Sequence, residues 1–277
     1  MSLPVIYTDL DGTLLNHDSY SHEAADPLLR ELKDSHIPVV PCSSKTRAEL
    51  LPLREELNNQ HPFIIENGAA VFIPKGYFSQ QPEDTRTHND YWVKEFSLPR
   101  EHWAKRLSTL GEAFSDDFTT FSEMSVADIM RLTGLNAQQA ELAAQREFGE
   151  PVYWQGSVEQ RNTFIEHLRK EGIGVLQGGR FLHIAGSNDK GQAINWLHSI
   201  FTQNKSAGAS IAAGDSQNDA AMLEAADFAL IIRSPVHPPP ELNSNNQQIT
   251  SASYGPEGWN EGIRNILKTL ETNNGEQ

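Results

Sequence analysis

Disulfide chemistry is missing from this chain. Its one cysteine, Cys42, cannot form an internal bridge and suits a reducing cytoplasm. Long apolar runs are missing too: none approaches the ~18 residues that span a bilayer as a helix. The first residues lack the basic stretch and extended apolar run of a secretory leader. Positive charge is scarce. With 22 lysines and arginines against 37 acids, the net charge of -15 argues against nucleic acid and anionic membrane as partners. An anionic substrate must then be drawn in by local positive charge. No GxxxxGKS/T, HExxH or GxSxG occurs, which removes P-loop, zincin and serine-hydrolase readings.

What is present fits a soluble protein of 277 residues, long enough for two domains. Pro4 to Thr8 reads as a buried strand, followed by a helix at Pro27 to Leu32, a strand at Ile37 to Pro41, a helix from Arg47 to about Leu57 and a strand at Phe63 to Ile65. This alternation predicts an α/β chain with a doubly wound parallel sheet. From about Asp84 to Ala185 the order becomes mixed. A strand is expected at Tyr91 to Val93, helices at Arg100 to Phe114, Ala127 to Leu132, Ala137 to Phe148 and Val158 to Lys170, and a strand at Pro151 to Trp154. A hairpin of Gly174 to Leu176 and Phe181 to Ile184 turns through Gly178-Gly179. The α/β rhythm returns with a helix at Lys190 to Phe201, a strand at Ala209 to Ala213, a helix at Ala220 to Ala226 and a strand at Phe228 to Ile232. We expect a core of residues 1–85 and 186–277 carrying an α+β insertion at 86–185, with hinges near 80–88 and 185–189. Pro238 to Pro240 and the polar end from Glu271 to Gln277 read as loop and frayed terminus.

Four stretches fall where parallel strands end: Asp9-Leu10-Asp11, Ser43-Ser44-Lys45, Lys190 at a helix start, and Gly214-Asp215 with Asn218-Asp219. Several acids, a hydroxyl and two lysines form a kit for phosphoryl transfer. Asp9 and Asp215 with a backbone carbonyl suit Mg²⁺, which takes carboxylate and water oxygens. One aspartate can attack phosphorus, and another two residues on can protonate the leaving oxygen and then activate water. Lysine and metal offset charge on the phosphoryl oxygens. Each piece has a plainer reading: Asp11-Gly12 as a turn, Ser43 as a helix cap, Lys190 as a surface residue and Cys42 as core. The GDSQND stretch fails the EF-hand pattern, with Ala220 and Ala226 where glycine and glutamate are needed.

DLDGTLL, the serine pair, the lysine of NDKG and GDSQND together resemble the haloacid dehalogenase superfamily of phosphatases. CSSKTRAEL, LTGLNAQQAELAAQREFGEPVYW, QGGRFLHI and GPEGW are similar to its mannosyl-3-phosphoglycerate phosphatase family, and these strings span most of the chain. The resemblance implies a cap domain, with Asp9 as nucleophile and Asp11 as general acid/base. It implies Mg²⁺ held by Asp9, the carbonyl of Asp11 and Asp215, with Ser43 and Lys190 on the phosphoryl group. Asn218 and Asp219 would orient this shell. Serine at position 43 departs from the superfamily's usual threonine and agrees with the narrower family. Arg180 is expected to hold a substrate carboxylate unless it faces solvent, and Ser44, Lys45 and Asn67 join it as substrate-binding candidates. Arg146-Glu147 forms either a buried ionic network or an ordinary helix surface. Trp92, Trp103, Tyr153 and Trp154 either stack on a sugar or pack in a core.

The expected activity is Mg²⁺-dependent hydrolysis of mannosyl-3-phosphoglycerate to mannosylglycerate and phosphate, in a cytoplasmic monomer or homodimer. Glucosyl-3-phosphoglycerate or another sugar phosphate is the alternative substrate. A non-catalytic metabolite-binding protein on the same fold is the reading from another class.

Overall fold

The computed structural model describes residues 3–178, 180–204 and 207–275. The chain runs β1 (Val5–Thr8), α1 (Asp26–Asp34), β2 (Val39–Pro41), α2 (Arg47–Glu56), β3 (Phe63–Ile65) and β4 (Ala70–Pro74). Next come β5 (Arg86–His88), β6 (Tyr91–Glu95), α3 (Arg100–Leu110), β7 (Phe118–Thr120), α4 (Val126–Thr133) and α5 (Ala137–Ala144). Then follow β8 (Glu150–Trp154), α6 (Val158–Lys170), β9 (Gly174–Gly178), β10 (Phe181–Ala185) and α7 (Lys190–Gln203). The last elements are β11 (Ser210–Gly214), α8 (Ala220–Ala225), β12 (Phe228–Arg233), β13 (Gln247–Tyr254) and α9 (Gly255–Gly275).

A strand whose four residues are all buried needs cover on both faces, and β1 has it. It is the fourth strand of a parallel sheet ordered β13-β12-β11-β1-β2. Successive β1 side chains serve opposite layers. Ile6 packs in the layer that holds Leu28, Leu32, Trp259 and Ile263, from α1 and α9. Val5 and Tyr7 pack in the layer that holds Ala193, Ile194, Leu197 and Met222, from α7 and α8. The doubly wound core is therefore as expected. β3 touches this sheet through a single parallel bridge, Cys42 to Ile64, and otherwise opens a second, antiparallel sheet ordered β3-β4-β6-β5.

The second α/β half is interrupted by a third sheet, β7-β8-β10-β9, all antiparallel. One face packs on α3 and α6 through Trp103, Leu107, Phe164 and Leu168, and Phe181 reaches the cluster under α4 and α5. This is the inserted α+β cap.

Four expectations change. β5 and β6 pair with the hairpin of β3 and β4 (Ile73 faces Trp92, for example), so the expected opening of the insertion at residue 86 splits a continuous sheet. We propose residues 97–99 as the first linker in place of 80–88, with 186–189 as the second. α5 stops at Ala144 rather than 148, because the backbone N–H groups of Glu147, Phe148 and Gly149 turn to the Glu66 carboxylate instead. Glu271 to Gly275 continue α9 rather than fraying. β4, β5, β7, β13 and α9 were not expected, although Trp259, Ile263 and Ile266 supply an i, i+4, i+7 buried stripe for α9. Gly179, of the expected turn, and Glu276 and Gln277 lie outside the described residues.

His61 tests how the second sheet is held. Its Nδ1 lies 2.8 Å from the Tyr77 hydroxyl. Burial, aided by the Arg54 and Lys33 charges, pushes its pKa from 6.5 down to about 4. The folded chain thus refuses a proton that the unfolded chain accepts. The stabilisation is full above pH 6.5 and fades as pH falls toward 4. The loss between pH 7 and 5 is about 2 kcal/mol. Denaturant unfolding of His61→Phe should show a correspondingly shallower loss of stability over that range; an unchanged pH slope would contradict this account.

Candidate active site

The loop after β1 is bent back on itself. Gly12 N–H donates to the Leu15 carbonyl and Thr13 N–H to Leu10, with Gly12 at φ +79°. A Cβ on Gly12 would lie 2.6 Å from Asp215 Oδ2, so this approach of the two acidic loops requires glycine twice over. Asp9 N–H extends the ladder to the Ala213 carbonyl, which sets Asp9 beside the end of β11. Asp215 follows that strand directly.

Lys190, at the first turn of α7, has no exposed surface. Its Nζ lies 2.7 Å from Asp9 Oδ1 and 2.6 Å from Asp219 Oδ1. Burial opposes its charge, but Asp219 and Asp9 outweigh burial and hold its pKa well above the ordinary lysine value. The other Asp219 oxygen accepts the N–H groups of Asp215 and Ser216, each at 3.1 Å. Asp219 therefore fixes both the lysine and the loop that carries Asp215. Asn218 is placed to orient that loop too: its Nδ2 donates to Asn67 Oδ1 at 3.3 Å, and its Oδ1 accepts from the Ser216 hydroxyl.

Carboxylate oxygens of Asp9, Asp215 and Asp219 lie within 4.8 Å of one another, all buried, with Lys190 as the contacting cation. Burial and the neighbouring Asp219 push Asp9 up to about 8 and Asp215 up to about 6. Three acids against one lysine is a charge imbalance that a hard divalent cation would correct. The oxygen donors of Asp9 and Asp215 fit Mg²⁺, while Asp219 is already committed to Lys190 and two amides.

Ser43 is buried and accepts the Lys45 N–H at 3.1 Å. It does not cap α2. Thr46 does, in a capping box with Glu49. Lys45 is turned to Asp11, with Nζ 2.8 Å from Oδ2; burial opposes its charge, but Asp11 prevails and raises its pKa. The other Asp11 oxygen is buried without a partner among the described residues. Cys42 is core: burial pushes its thiol far up and leaves it unreactive at neutral pH.

A cleft of about 400 Å³ opens over these groups, lined by Asp9, Asp11, Ser44, Asn67, Asp215 and Asn218. It also takes in His17, Ser216, Gln217 and His237 from the core and Leu176 and His183 from the cap. The sequence reading missed these six. His183 was within reach of it, since QGGRFLHI places the histidine on the strand face opposite Leu182. Burial, aided by the Arg146 charge, drops His183 to about 3, so it meets the cleft as a neutral imidazole.

Arg180 is elsewhere. Its guanidinium donates to the Leu132 carbonyl, and it lines a separate hollow with Trp154 and Arg161. Trp103 and Trp154 pack in the cap core, Tyr153 lies against Phe181 and Trp92 packs on the core layer under α7. None of these aromatics lines the cleft. Arg146 and Glu147 form the ionic network rather than a helix surface: Arg146 Nη2 donates to the Ser44 carbonyl at 3.0 Å, and Glu147 takes Arg47 Nε at 2.7 Å.

A family model described as haloacid dehalogenase-like hydrolase matches residues 6–95, and one described as sucrose-6F-phosphate phosphohydrolase matches 99–264. Over 265 residues the chain is 37% identical to the glucosyl-3-phosphoglycerate/mannosyl-3-phosphoglycerate phosphatase of Methanococcoides burtonii, covering 95% of this chain and 97% of that one. The protein of the same name from Persephonella marina is 37% identical over 279 residues, covering 96% and 98%. Among solved structures, a Thermotoga maritima protein aligns with a TM-score of 0.65 at 18% identity, covering 96% of this chain and 97% of that one. The Synechocystis sucrose-phosphatase, solved with sucrose and phosphate, aligns with a TM-score of 0.60 at 14% identity, covering 96% and 98%. At such identities these structures support the fold alone. Relatives this similar over nearly the whole length, joined to a core and cap of this design, show that the chain belongs to the mannosyl-3-phosphoglycerate phosphatase family of the haloacid dehalogenase superfamily and is a phosphoric monoester hydrolase.

Proposed function

We propose that this protein is a Mg²⁺-dependent phosphatase that hydrolyses mannosyl-3-phosphoglycerate to mannosylglycerate and phosphate through an aspartyl-phosphate. The observation that carries the reading is Asp9 at the strand end, clamped through one oxygen by buried Lys190 and facing Asp215 across Gly12. Asp9 Oδ2 accepts no hydrogen bond from the described residues, which leaves it to attack phosphorus. Asp11, two residues on, is the acid that protonates the leaving glycerate oxygen and the base that then takes a proton from water. Asp11 is paired with Lys45. An arriving phosphate competes for that ammonium and frees Asp11 for the leaving oxygen. Lys190 holds Asp9 in line and offsets charge near the phosphoryl oxygens, and Ser43 is the hydroxyl we assign to the same group. Bound by Asp9, the carbonyl of Asp11 and Asp215, Mg²⁺ would supply the remaining neutralisation of phosphate charge.

The cap supplies Leu176 and His183 over the sugar and excludes bulk water while the acyl phosphate forms. In this arrangement Arg180 is engaged with Leu132, so its expected role at the carboxylate requires it to leave that carbonyl. Glucosyl-3-phosphoglycerate is the second substrate we weigh, because both curated relatives carry both sugars in their names. Buried Cys42 suits a cytoplasmic setting, which we propose for the protein.

Three outcomes are expected. Phosphate release from mannosyl-3-phosphoglycerate should vanish on EDTA treatment and return with Mg²⁺, while Asp9→Asn should fall by about a thousandfold or more whatever the metal. Ordinary turnover by Asp9→Asn would exclude the covalent route. Lys190→Met should lose activity and also unfold earlier in urea, by about 3–5 kcal/mol, because Asp219 and Asp9 lose their buried partner; unfolding at the wild-type midpoint would refute that pairing. Finally, kcat/KM for the mannosyl and glucosyl substrates, measured side by side, should favour mannose by tenfold or more, on the order of one hydrogen bond to the sugar hydroxyl. Equal values would make the enzyme a dual phosphatase.

A further inference from the structure

Three consecutive residues after β3 adopt left-handed backbone: Glu66 at φ +47°, Asn67 at +57° and Gly68 at +89°. Left-handed backbone is uncommon outside glycine and carries a steric cost, and it persists where the surroundings over-determine it. Here they do so from four sides. Glu66 N–H donates to the Lys45 carbonyl and Asn67 N–H to the Ser43 carbonyl, each at 3.0 Å, zipping the turn to the loop expected to hold phosphate. Asn67 Oδ1 accepts from Asn218 of the Asp215 loop, and its carbonyl accepts from Asn188 of the second linker. A Cβ on Gly68 would lie 2.1 Å from the Asp189 carbonyl oxygen, one residue before Lys190.

The fourth side is the cap. The Glu66 carboxylate, 1% exposed, accepts the N–H groups of Glu147 at 2.7 Å, Phe148 at 3.2 Å and Gly149 at 2.8 Å. Arg146 Nε lies 3.4 Å from the same carboxylate, while its Nη2 donates to the Ser44 carbonyl. Arg47 to Glu147 and the Thr46 hydroxyl to the Leu142 carbonyl, at 3.1 Å, extend the seam. The segment sits at the root of the cap, where the Glu147 carbonyl accepts Arg100 N–H and the Ser97 hydroxyl lies 3.4 Å from the Phe148 carbonyl.

We propose that Glu66 is a positioning residue for the phosphatase reaction: its carboxylate anchors the cap's 146–149 segment on the core and so registers the cap over the acids, while the Ser43–Lys45 loop is held by the backbone N–H groups of the same turn. The carboxylate touches neither the cleft nor the reacting atoms. A carboxylate that accepts three amides has no neutral substitute. Glutamine of the same shape must turn an NH₂ toward an N–H group and leave a donor unpaired. The proposal rests on the phosphatase reading and adds to it the means by which the cap is registered over the acids. A small ester such as para-nitrophenyl phosphate, which does not reach the sugar site, depends on that register least.

The test compares wild type with Glu66→Gln in two readouts. In amide hydrogen exchange, protection at 147–149 should fall by about tenfold or more while β1 and β11 keep theirs. In kinetics, kcat/KM for mannosyl-3-phosphoglycerate should fall by about tenfold or more, chiefly through KM, while the small ester stays within about threefold. Unchanged protection at 147–149, or equal losses with both esters, would overturn the proposal. Should Glu66→Gln fail to fold, Arg146→Met, which removes the other arm of the anchor, is read by the same exchange criterion. A wild type that hydrolyses the small ester but neither sugar phosphoglycerate would refute the substrate reading alone, and the exchange result would still decide the anchor.

Discussion

A lysine ammonium with no contact to water stays charged only among carboxylates, and Lys190 has two. Asp219 lies on one side and Asp9 on the other, so one cation ties the start of α7 to the loop after β11 and to the end of β1. The arrangement costs desolvation of every member and returns Coulomb energy only while the set is complete. That constraint explains the glycines around it. Gly12, Gly191 and Gly214 each lie where a Cβ would come within 2.6 Å of Asp215, Ala221 or Asp219, so the loops close on the lysine without a side chain between them.

The charge of the chain has a similar local resolution. An overall balance of -15 repels an anionic ester at a distance, yet Lys45, Lys190 and Arg146 all converge beneath or beside the cleft, each paired with an acid or a carbonyl of the site loops. Each of these cations is held in place by its neighbours on the site loops. Acceptors are preorganised too, since Asp219 commits one oxygen and Glu66 both to backbone N–H groups.

How much of this was legible in the residues follows from range. The parallel core declared itself through short apolar runs ending in acids, and α6 could be read residue for residue because Ser157 and Gln160 mark its start. The pairing of β6 with β4 is not legible locally, because a strand's partner lies outside any local window; nothing in Tyr91 to Glu95 says that it will pair with Ala70 to Pro74. α5 was drawn four residues too long for the same reason, since the carboxylate that ends it belongs to Glu66 far upstream. Asp9, Asp11 and Asp215 were readable as strand-end acids and do come together. Arg180 was readable only as a cation near a turn, and it lines a different hollow from the cleft. His17 and His237 had no signal of their own, lying in irregular loops with no periodicity to say which way they point.

The pairing of β1 with β11, Val5 opposite Ser210, has a consequence for assembly. β1 gains its second neighbour only after the whole cap has been made. Every cap strand, by contrast, finds a partner within the insertion itself. Loop closure over such a span is entropically the most demanding step of the fold, and it favours nearby pairings first. A chain leaving the ribosome therefore carries a strongly apolar strand with one open edge through most of its synthesis. The four charged groups of the centre meet only when that edge is sealed.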